Sequence, residues 1–321
     1  MLRKFLLVSA AIITSAGLAV AGVLAHSGTF GLNIILRHVI PVWVNVEPND
    51  QRLSASMRLA LQDKPPVVRP GPFKWQQLDR GFDVGELPVM ADNVEVDRIL
   101  LARIDPDRFK FQVRTRSSDS WDASEWMDKL GAVLVTNGSY FTRNGMPATP
   151  ILNANRYGGP KNYDAKHGAF VASRSFAGIR DLANLDWQDA LRDADDGMVS
   201  YPMLIGDDGL SRSKGNSRWL ANRTFVAEAH DGSIILGTTK DAFFSLDRLA
   251  EFLTTTPLRL KLALNLDGGP VACQMIKYKR FERDQCGQYE LATHDGKLQL
   301  LRPLIGSRRW PLPIVLAVLP R

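Results

Sequence analysis

The stretch Leu262-Ala-Leu-Asn-Leu-Asp-Gly-Gly-Pro-Val-Ala272 decides the fold, because an alternating apolar pattern runs straight into polar residues and a glycine pair. Side chains alternate between the two faces of a β-strand. One face of the predicted strand is therefore a row of leucines: Leu258, Leu260, Leu262, Leu264 and Leu266. The opposite face carries the remaining residues: Arg259, Lys261, Ala263, Asn265 and Asp267. We expect Asn265 and Asp267 to lie side by side where this strand ends.

The glycine pair Gly268-Gly269 follows Asp267 directly. Glycine adopts positive φ angles and lets a ligand approach the backbone closely. Backbone N–H groups in such a turn can point towards an anion. The strand end is thus predicted to offer a carboxylate, an amide and backbone donors to one ligand.

A second predicted strand ends in the same way. Residues 132–136 are predicted to form a buried strand that reaches Asn137 and then Gly138-Ser139-Tyr140-Phe141. If the two strands are neighbours in one sheet, Asn137 lies beside Asp267. Asn-Gly and Asp-Gly are also common turn dipeptides, so either motif alone indicates only a turn.

The rest of the chain contains more strand signals than helix signals. Residues 105–108 predict a β-turn between paired strands at 99–104 and 109–115, and residues 230–232 predict a hairpin turn. A capping box at Asp122–Glu125 predicts a helix to about Leu130, and Ser245 is a suitable N-cap for a helix that follows it. These signals predict an α+β fold with a mixed, strand-rich sheet core and single inserted helices.

The N-terminus indicates export. Arg3 and Lys4 precede an uncharged stretch from Phe5 to Ala25, which is long enough to cross a bilayer as a helix. We expect a membrane-anchored protein whose main domain lies on the periplasmic or extracellular side. Val23-Leu24-Ala25 also resembles a signal-peptidase site, and cleavage after Ala25 would make the protein secreted.

Three segments are predicted along the chain. Residues 1–27 are a signal anchor or signal peptide, residues 28–72 are a membrane-proximal extension with a proline-rich linker, and residues 73–321 are the main domain. A helix is expected from Ser54 to Gln62.

Composition narrows the partners. The chain has 40 Lys and Arg against 34 Asp and Glu, and its basic residues are scattered without the stripe typical of nucleic-acid binding. We therefore expect no nucleic-acid partner. The two cysteines, Cys273 and Cys286, are a disulfide candidate in an oxidising compartment, with free buried thiols as the alternative.

Four stretches, in this order and spacing, resemble the phosphodiester glycosidase family of N-acetylglucosamine-1-phosphodiester α-N-acetylglucosaminidases. They are Asn137–Phe141, Ser217–Thr224 with the Asp231-Gly232 hairpin, the helix after Ser245, and Asn265-Leu-Asp-Gly-Gly269. The resemblance covers roughly Leu100 to Leu319. Ser139 stands where many relatives have a second glycine, and Pro270-Val271 where many have Gly-Ser, and both departures bear on the substrate rather than the fold.

The resemblance implies a hydrolase of sugar-1-phosphodiesters, and the residues suit that chemistry. Asp267, with Asn265, is the candidate catalytic group that activates water or stabilises positive charge at the sugar. Arg223 is suited to bidentate phosphate binding, with a surface ion pair as the alternative. Glu228 is the candidate second carboxylate, because strand alternation can turn it inward.

Further substrate contacts are expected from Asn137, Tyr140, Gly268 and Gly269. The polar segment from Tyr157 to Gly168 suits a sugar-binding lid, with Tyr157 or Tyr163 against a ring and Lys161 or Lys166 near phosphate, or is a solvated surface loop. His167 is either an acid or base or a structural hydrogen-bond partner.

Three functions remain open at this point. The preferred one is an exported hydrolase that cleaves the anomeric sugar–phosphate bond in envelope glycans or glycoconjugates, with no cofactor. A metal-dependent phosphodiesterase would use Asp267, Asn265 and Asn137 as oxygen ligands. A non-catalytic module of an envelope assembly would only bind glycan or phosphate.

Overall fold

The structure is a computed structural model that describes residues 2–37, 39–117, 119–164, 167–213, 218–305 and 309–321. In this part of the chain the strands form four sheets whose ladders are antiparallel. Strand residues outnumber helical ones, and the helices occur singly between strands. The predicted α+β, strand-rich fold is confirmed.

The central sheet has eight strands and carries the stretch that ends in Asp267. Its order is β13 (Met203–Ile205), β17 (Leu260–Asn265), β15 (Thr224–Ala229), β16 (Ile234–Thr239), β5 (Val94–Ile104), β4 (Phe82–Ala91) and β2 (Val68–Pro70), with β3 (Gln76–Asp79) paired to β4. The second sheet has the order β19 (Phe281–Cys286), β18 (Cys273–Tyr278), β7 (Leu134–Asn137), β22 (Ile314–Pro320) and β6 (Phe109–Thr115).

Two smaller sheets flank these. The side sheet has the order β11 (Ala177–Asp181), β10 (Gly168–Ala172), β12 (Asp196–Ser200), β8 (Ile151–Asn153) and β9 (Arg156–Gly158). The edge sheet has the order β1 (Ile40–Asn45), β21 (Lys297–Ile305), β20 (Glu290–His294) and β14 (Leu220–Ala221). The helices are α1 (Leu2–Leu36), α2 (Ala55–Ala60), α3 (Ala123–Leu130), α4 (Trp187–Leu191) and α5 (Leu246–Thr254), with a short 3₁₀ helix at Gly269–Val271.

The core lies on both faces of the central sheet. One face packs against the second sheet, where Leu264 shares a buried cluster with Leu134 and Leu316. The other face packs against α2, α5 and the edge sheet, where Ala263 shares a cluster with Leu249. This layering brings the ends of β7 and β17 together from two different sheets.

Several local predictions are confirmed. Strands β15 and β16 form the predicted hairpin, and α3 begins with both hydrogen bonds of its capping box. Helix α5 begins after Ser245, although the Ser245 side chain makes no capping hydrogen bond. Helix α2 begins after Ser54, whose side chain accepts from the Met57 N–H.

Two predictions about strands are wrong. The turn at residues 105–108 does not join paired strands, because β5 pairs with β4 and β16 whereas β6 pairs with β22 in the second sheet. The five leucines of the stretch before Asp267 do not share one face of the strand either. Glu228 of β15 pairs with Leu262 of β17, but the next residue, Ala229, pairs with Leu260, so Lys261 has no partner on β15. Such a one-residue bulge turns the side chains before it to the opposite face of the sheet from those after it. Leu258 consequently packs in the cluster opposite that of Leu262.

Among the described residues, one helix is long and apolar enough to cross a membrane, over Ile13–Leu36 with a mean hydropathy of 1.5. The helix is interrupted at Gly28, which has φ 70° and ψ −173°. A side chain at this position would also meet the main-chain oxygen of Arg143 at 2.4 Å. After Gly28 the helix packs against the domain, where Phe30 and Ile34 are buried.

Residues 28–72 contribute directly to the sheets described above. Strand β1 pairs with β21, β2 pairs with β4, and Met57 of α2 is buried in the core. The division of the chain at residues 27 and 72 stays a prediction.

Candidate active site

Hydrogen bonds join the ends of β7 and β17. Asn137 Nδ2 donates to the main-chain oxygen of Asp267 at 2.7 Å, and the Asp267 N–H donates to the Gly138 oxygen at 3.0 Å. Asn137 Oδ1 accepts from the Cys273 N–H at 3.0 Å. The structure therefore brings Asn137 beside Asp267 as expected, but from a different sheet. The Asn137 side chain is buried, and both its nitrogen and its oxygen are hydrogen-bonded within the protein.

Among the described residues, the Asp267 carboxyl group accepts one hydrogen bond, from the Gly268 N–H to Oδ1 at 2.8 Å. Burial of the carboxyl among packed groups raises the pKa of Asp267 to about 8, and the negative charge of Glu290 adds to this. The Gly268 hydrogen bond and the Arg223 charge act in the opposite direction. Asp267 as a whole residue is half-buried, while its carboxyl group is desolvated by the groups packed around it. Such a carboxyl is largely protonated at pH 7.

The glycine pair differs from the prediction. Only Gly269 has a positive φ, of 69°, whereas Gly268 is extended with φ −120°. The two N–H groups are not left for an anion, because Gly268 donates to Asp267 Oδ1 and Gly269 donates to the Asn222 oxygen at 2.8 Å. The glycines instead allow close packing. A Cβ on Gly269 would lie 2.7 Å from Glu290 Oε2, and one on Gly268 would lie 2.9 Å from the Asn222 oxygen.

Arg223 is buried behind this turn, with 5% of its surface exposed. Its Nε donates to the Phe244 oxygen at 3.2 Å, and its Nη2 donates to the Trp219 oxygen at 2.7 Å. Within the described residues the guanidinium forms no ion pair, so the surface ion pair is not found. Burial lowers the pKa of Arg223, while the nearby Tyr140, Glu290 and Asp267 raise it. An arginine held by neutral carbonyls retains its charge for an anionic ligand.

The carboxylate beside Asp267 is Glu290, which the sequence analysis missed. Glu290 opens β20 opposite Ala221 of β14, and its Oε1 accepts from Trp219 Nε1 at 2.9 Å. Burial raises the pKa of Glu290, against the Arg223 charge and the Trp219 hydrogen bond. The alternation before Asp295-Gly296 indicates a strand at this position. No feature of that pattern indicates that β20 pairs with β14 next to Arg223.

Glu228 does not join Asp267. Glu228 lies on β15 opposite Leu262 of β17. The β15 residue opposite Asn265, near the end of β17, is Phe225. The Glu228 carboxylate accepts from Lys261 Nζ at 2.8 Å and from the Ile179 N–H at 2.9 Å. Glu290, rather than Glu228, is therefore the second carboxylate of the site. Strand alternation turned Glu228 towards the side sheet instead.

Aromatic rings line the site next to Asn265. Tyr140 and Tyr201 stack with ring centroids 4.1 Å apart and an interplanar angle of 14°. His167 lies 5.0 Å from the Tyr201 ring, and burial lowers the pKa of His167. Asn265 Nδ2 contacts the Tyr140 hydroxyl at 2.8 Å and the Tyr201 oxygen at 3.0 Å. In the described part of the chain, Asn265 Oδ1 is buried without a hydrogen-bond partner.

The predicted lid is only partly brought to these rings. His167 joins the aromatic group, but Tyr157 packs against Trp187, with ring centroids 6.1 Å apart. Lys161 is exposed between β9 and β10, and no contact described for it reaches the site. Lys166, like Ser217 of the family pattern, lies outside the described residues.

Cys273 and Cys286 form a disulfide between directly opposed positions of β18 and β19. The bridge lies close to the site, because the Cys273 N–H binds Asn137 Oδ1.

The metal-dependent alternative stays a prediction. Asn137 Oδ1 is occupied by the Cys273 N–H, and across the described ranges no three His, Cys, Asp or Glu residues are placed to hold an ion.

Comparison with known proteins supports the resemblance. The family model described as phosphodiester glycosidase matches residues 130–318, which is more than half of the chain. A comparison with curated proteins gave no match.

Two solved structures are similar at low identity. A hypothetical protein from Synechocystis has 14% identity and a TM-score of 0.48, with 78% of this chain and 64% of that chain covered. The zebrafish N-acetylglucosamine-1-phosphodiester α-N-acetylglucosaminidase catalytic domain, auto-inhibited by its pro-peptide, has 15% identity and a TM-score of 0.49, with 92% and 94% covered. This chain thus spans less than two thirds of the Synechocystis protein. On the match of the family model, the chain belongs to the phosphodiester glycosidase family.

Proposed function

We propose that the protein is an exported hydrolase that cleaves the anomeric sugar–phosphate bond of sugar-1-phosphodiesters in envelope glycans or glycoconjugates. The observation that carries this proposal is the carboxyl group of Asp267, whose pKa is raised to about 8. The glycine turn that follows Asp267 packs against both the Arg223 side chain and the second acid, Glu290, and the charges of both act on the Asp267 carboxyl. Perturbed acids that converge with a cation in this way are typical of active sites.

The two acids suit complementary roles. Asp267 is largely protonated at neutral pH and can donate its proton to the phosphate oxygen as the bond from that oxygen to the anomeric carbon breaks. A water molecule then adds to the anomeric carbon, and its proton passes to Glu290. The products are the free sugar and a phosphomonoester. This is the acid-and-base division used by glycosidases, with Asp267 as acid rather than as base.

Arg223 supplies the charge that a phosphodiester needs. Its Nε and Nη2 are fixed by the carbonyls of Phe244 and Trp219, so the guanidinium is oriented before a substrate arrives. Preorganised charge of this kind stabilises the developing phosphate without reorganisation during the reaction.

The location is part of the proposal. The apolar stretch at Ile13–Leu36 suits an anchor or signal segment, and a net charge of +6 is compatible with anionic glycopolymers. Full-length protein in detergent micelles, incubated with N-acetylglucosamine-α-1-phosphodiesters and related sugar diesters, should release free sugar. Binding of these diesters without any release of sugar would instead support a binding module.

A further inference from the structure

The Tyr140 hydroxyl has a fixed hydrogen-bond direction. Asn265 Nδ2 lies 2.8 Å from it, 3.0 Å from the Tyr201 oxygen and 2.6 Å from the Leu266 oxygen. Main-chain oxygens only accept, so the atom that faces them must be the amide nitrogen of Asn265. The Tyr140 oxygen is consequently the acceptor in its contact with Asn265.

The hydroxyl hydrogen of Tyr140 therefore points elsewhere. Within the described ranges, the contact with Asn265 is the hydroxyl's single hydrogen bond. Stacking on Tyr201, with ring centroids 4.1 Å apart, restricts the Tyr140 ring and so the place of its oxygen. Tyr140 as a whole residue is half-buried rather than fully enclosed.

The surroundings of the hydroxyl identify the ligand chemistry. The titratable groups that act on Tyr140 include Asp267, Arg223 and Glu290 of the candidate active site, together with Tyr201. A neutral donor on which the charge of a guanidinium acts matches an anionic oxygen, because hydrogen bonds to charged acceptors are stronger than those to neutral ones. A sugar hydroxyl would gain less from this position.

We propose that the Tyr140 hydroxyl donates a hydrogen bond to a non-bridging phosphate oxygen of the sugar-1-phosphodiester, and that Asn265 is the positioning residue that aims it. This inference rests on the proposed function. It assigns Tyr140 and Arg223 to the phosphate. It also changes the expected role of Asn265, from a group that acts on the substrate to one that acts through Tyr140.

The protonation state of Tyr140 is consistent with a donor. Burial raises the pKa of Tyr140 above its ordinary value, and the negative charge of Asp267 acts in the same direction. The hydroxyl therefore keeps its proton throughout the neutral range.

Tyr140→Phe tests the proposal, because it removes the hydroxyl and keeps the ring that stacks on Tyr201. We expect kcat/KM for a sugar-1-phosphodiester to fall about 10- to 100-fold, the range for loss of a hydrogen bond to a charged group. The matched control is Tyr278→Phe, which removes a hydroxyl bound to Asp79 Oδ2 at 2.7 Å on β3. This control should retain wild-type kcat/KM. Equal activity of Tyr140→Phe and wild type would overturn the proposal.

Inhibition by inorganic phosphate and by free sugar separates phosphate contacts from sugar contacts. Tyr140→Phe should raise the inhibition constant of inorganic phosphate about tenfold and leave that of free N-acetylglucosamine unchanged. A rise confined to the sugar would overturn the assignment to phosphate. If wild type releases no sugar, the proposed function fails, and calorimetric titration of both proteins with inorganic phosphate still tests the Tyr140 contact.

Asn265→Asp tests the positioning role, because a carboxylate would accept the Tyr140 hydrogen and turn it away from the substrate. If Asn265→Asp retains a cooperative thermal transition, we expect its kcat/KM to fall about as far as that of Tyr140→Phe. The double variant with both substitutions should show no further fall in kcat/KM. Additive losses would contradict positioning through Tyr140. If Asn265→Asp does not fold, the inhibition constants of Tyr140→Phe decide the matter.

Discussion

Asn137 Nδ2 lies 2.7 Å from the main-chain oxygen of Asp267, and this hydrogen bond joins the ends of strands that belong to two different sheets. The Asp267 N–H donates a second hydrogen bond between these strand ends, to the Gly138 oxygen at 3.0 Å. The main chain of Asp267 is thus held by two hydrogen bonds between sheets, one from the Asn137 side chain and one to the Gly138 main chain.

Asn137→Ala should lower the free energy of unfolding by about 2–4 kcal/mol. The Asp267 oxygen and the Cys273 N–H both lose a buried partner, and each unsatisfied group costs about 1–3 kcal/mol. Denaturant unfolding measures the change. The exposed Asn49→Ala is the control and should remain within about 0.5 kcal/mol of wild type. Similar stabilities for the two variants would contradict the role of Asn137.

The acid role of Asp267 predicts a pH dependence of activity. Its pKa of about 8 means that kcat/KM should fall as pH rises through about 8, because the proton donor is lost. Glu290→Gln removes a negative charge that raises this pKa, so the falling limb should move to lower pH. A pH–rate series for the two proteins measures both effects. A limb that rises through pH 8 in wild type would show that Asp267 acts as a base.

Stability should depend on pH through the same group. The folded-state pKa of Asp267 is raised from 3.8 to about 8, so ionisation favours the unfolded state. Wild type should therefore lose stability relative to Asp267→Asn as pH rises from about 4 to about 8, with a constant difference above that range. The asparagine retains an acceptor for the Gly268 N–H. Chemical unfolding at several pH values tests this, and a difference that stays constant from pH 4 to 8 would contradict it.

The second half of α1 belongs to the core of the domain. Phe30 is 7% exposed, and its ring centroid lies 4.6 Å from that of Phe141, which follows Tyr140 in sequence. Phe30→Ala should cost about 3–5 kcal/mol of stability, as truncations of buried aromatic residues do. Ile13→Ala, on a side chain that is 72% exposed, should cost less than about 0.5 kcal/mol in detergent micelles. Equal effects of the two substitutions would show that α1 does not pack as described.

Local patterns explain how much of the fold and site could be predicted. The capping box of α3 and the hairpin of β15 and β16 depend on neighbouring residues, and both were predicted correctly. Asn137 was expected to lie beside Asp267 because each follows a buried strand, and the two residues are hydrogen-bonded. The expectation that the two strands are neighbours in one sheet was wrong.

The remainder depends on contacts that no local pattern contains. Glu290 reaches the site because β20 pairs with β14, which is distant in sequence. The extra residue Lys261 exchanges the faces of the leucine pattern, and alternation alone cannot indicate a bulge. The glycine N–H groups were expected to bind an anion, but Asp267 and Asn222 accept from them instead.

The most direct test of the central claim is the release of free sugar from N-acetylglucosamine-α-1-phosphodiesters by full-length wild type and by Asp267→Asn. We predict release by wild type and a loss of about 10²- to 10⁴-fold in the variant, which is the usual contribution of a positioned acid or base. Circular dichroism and thermal unfolding would establish that the variant remains folded. Undiminished release by a folded Asp267→Asn protein would contradict the assignment of Asp267 as the catalytic acid.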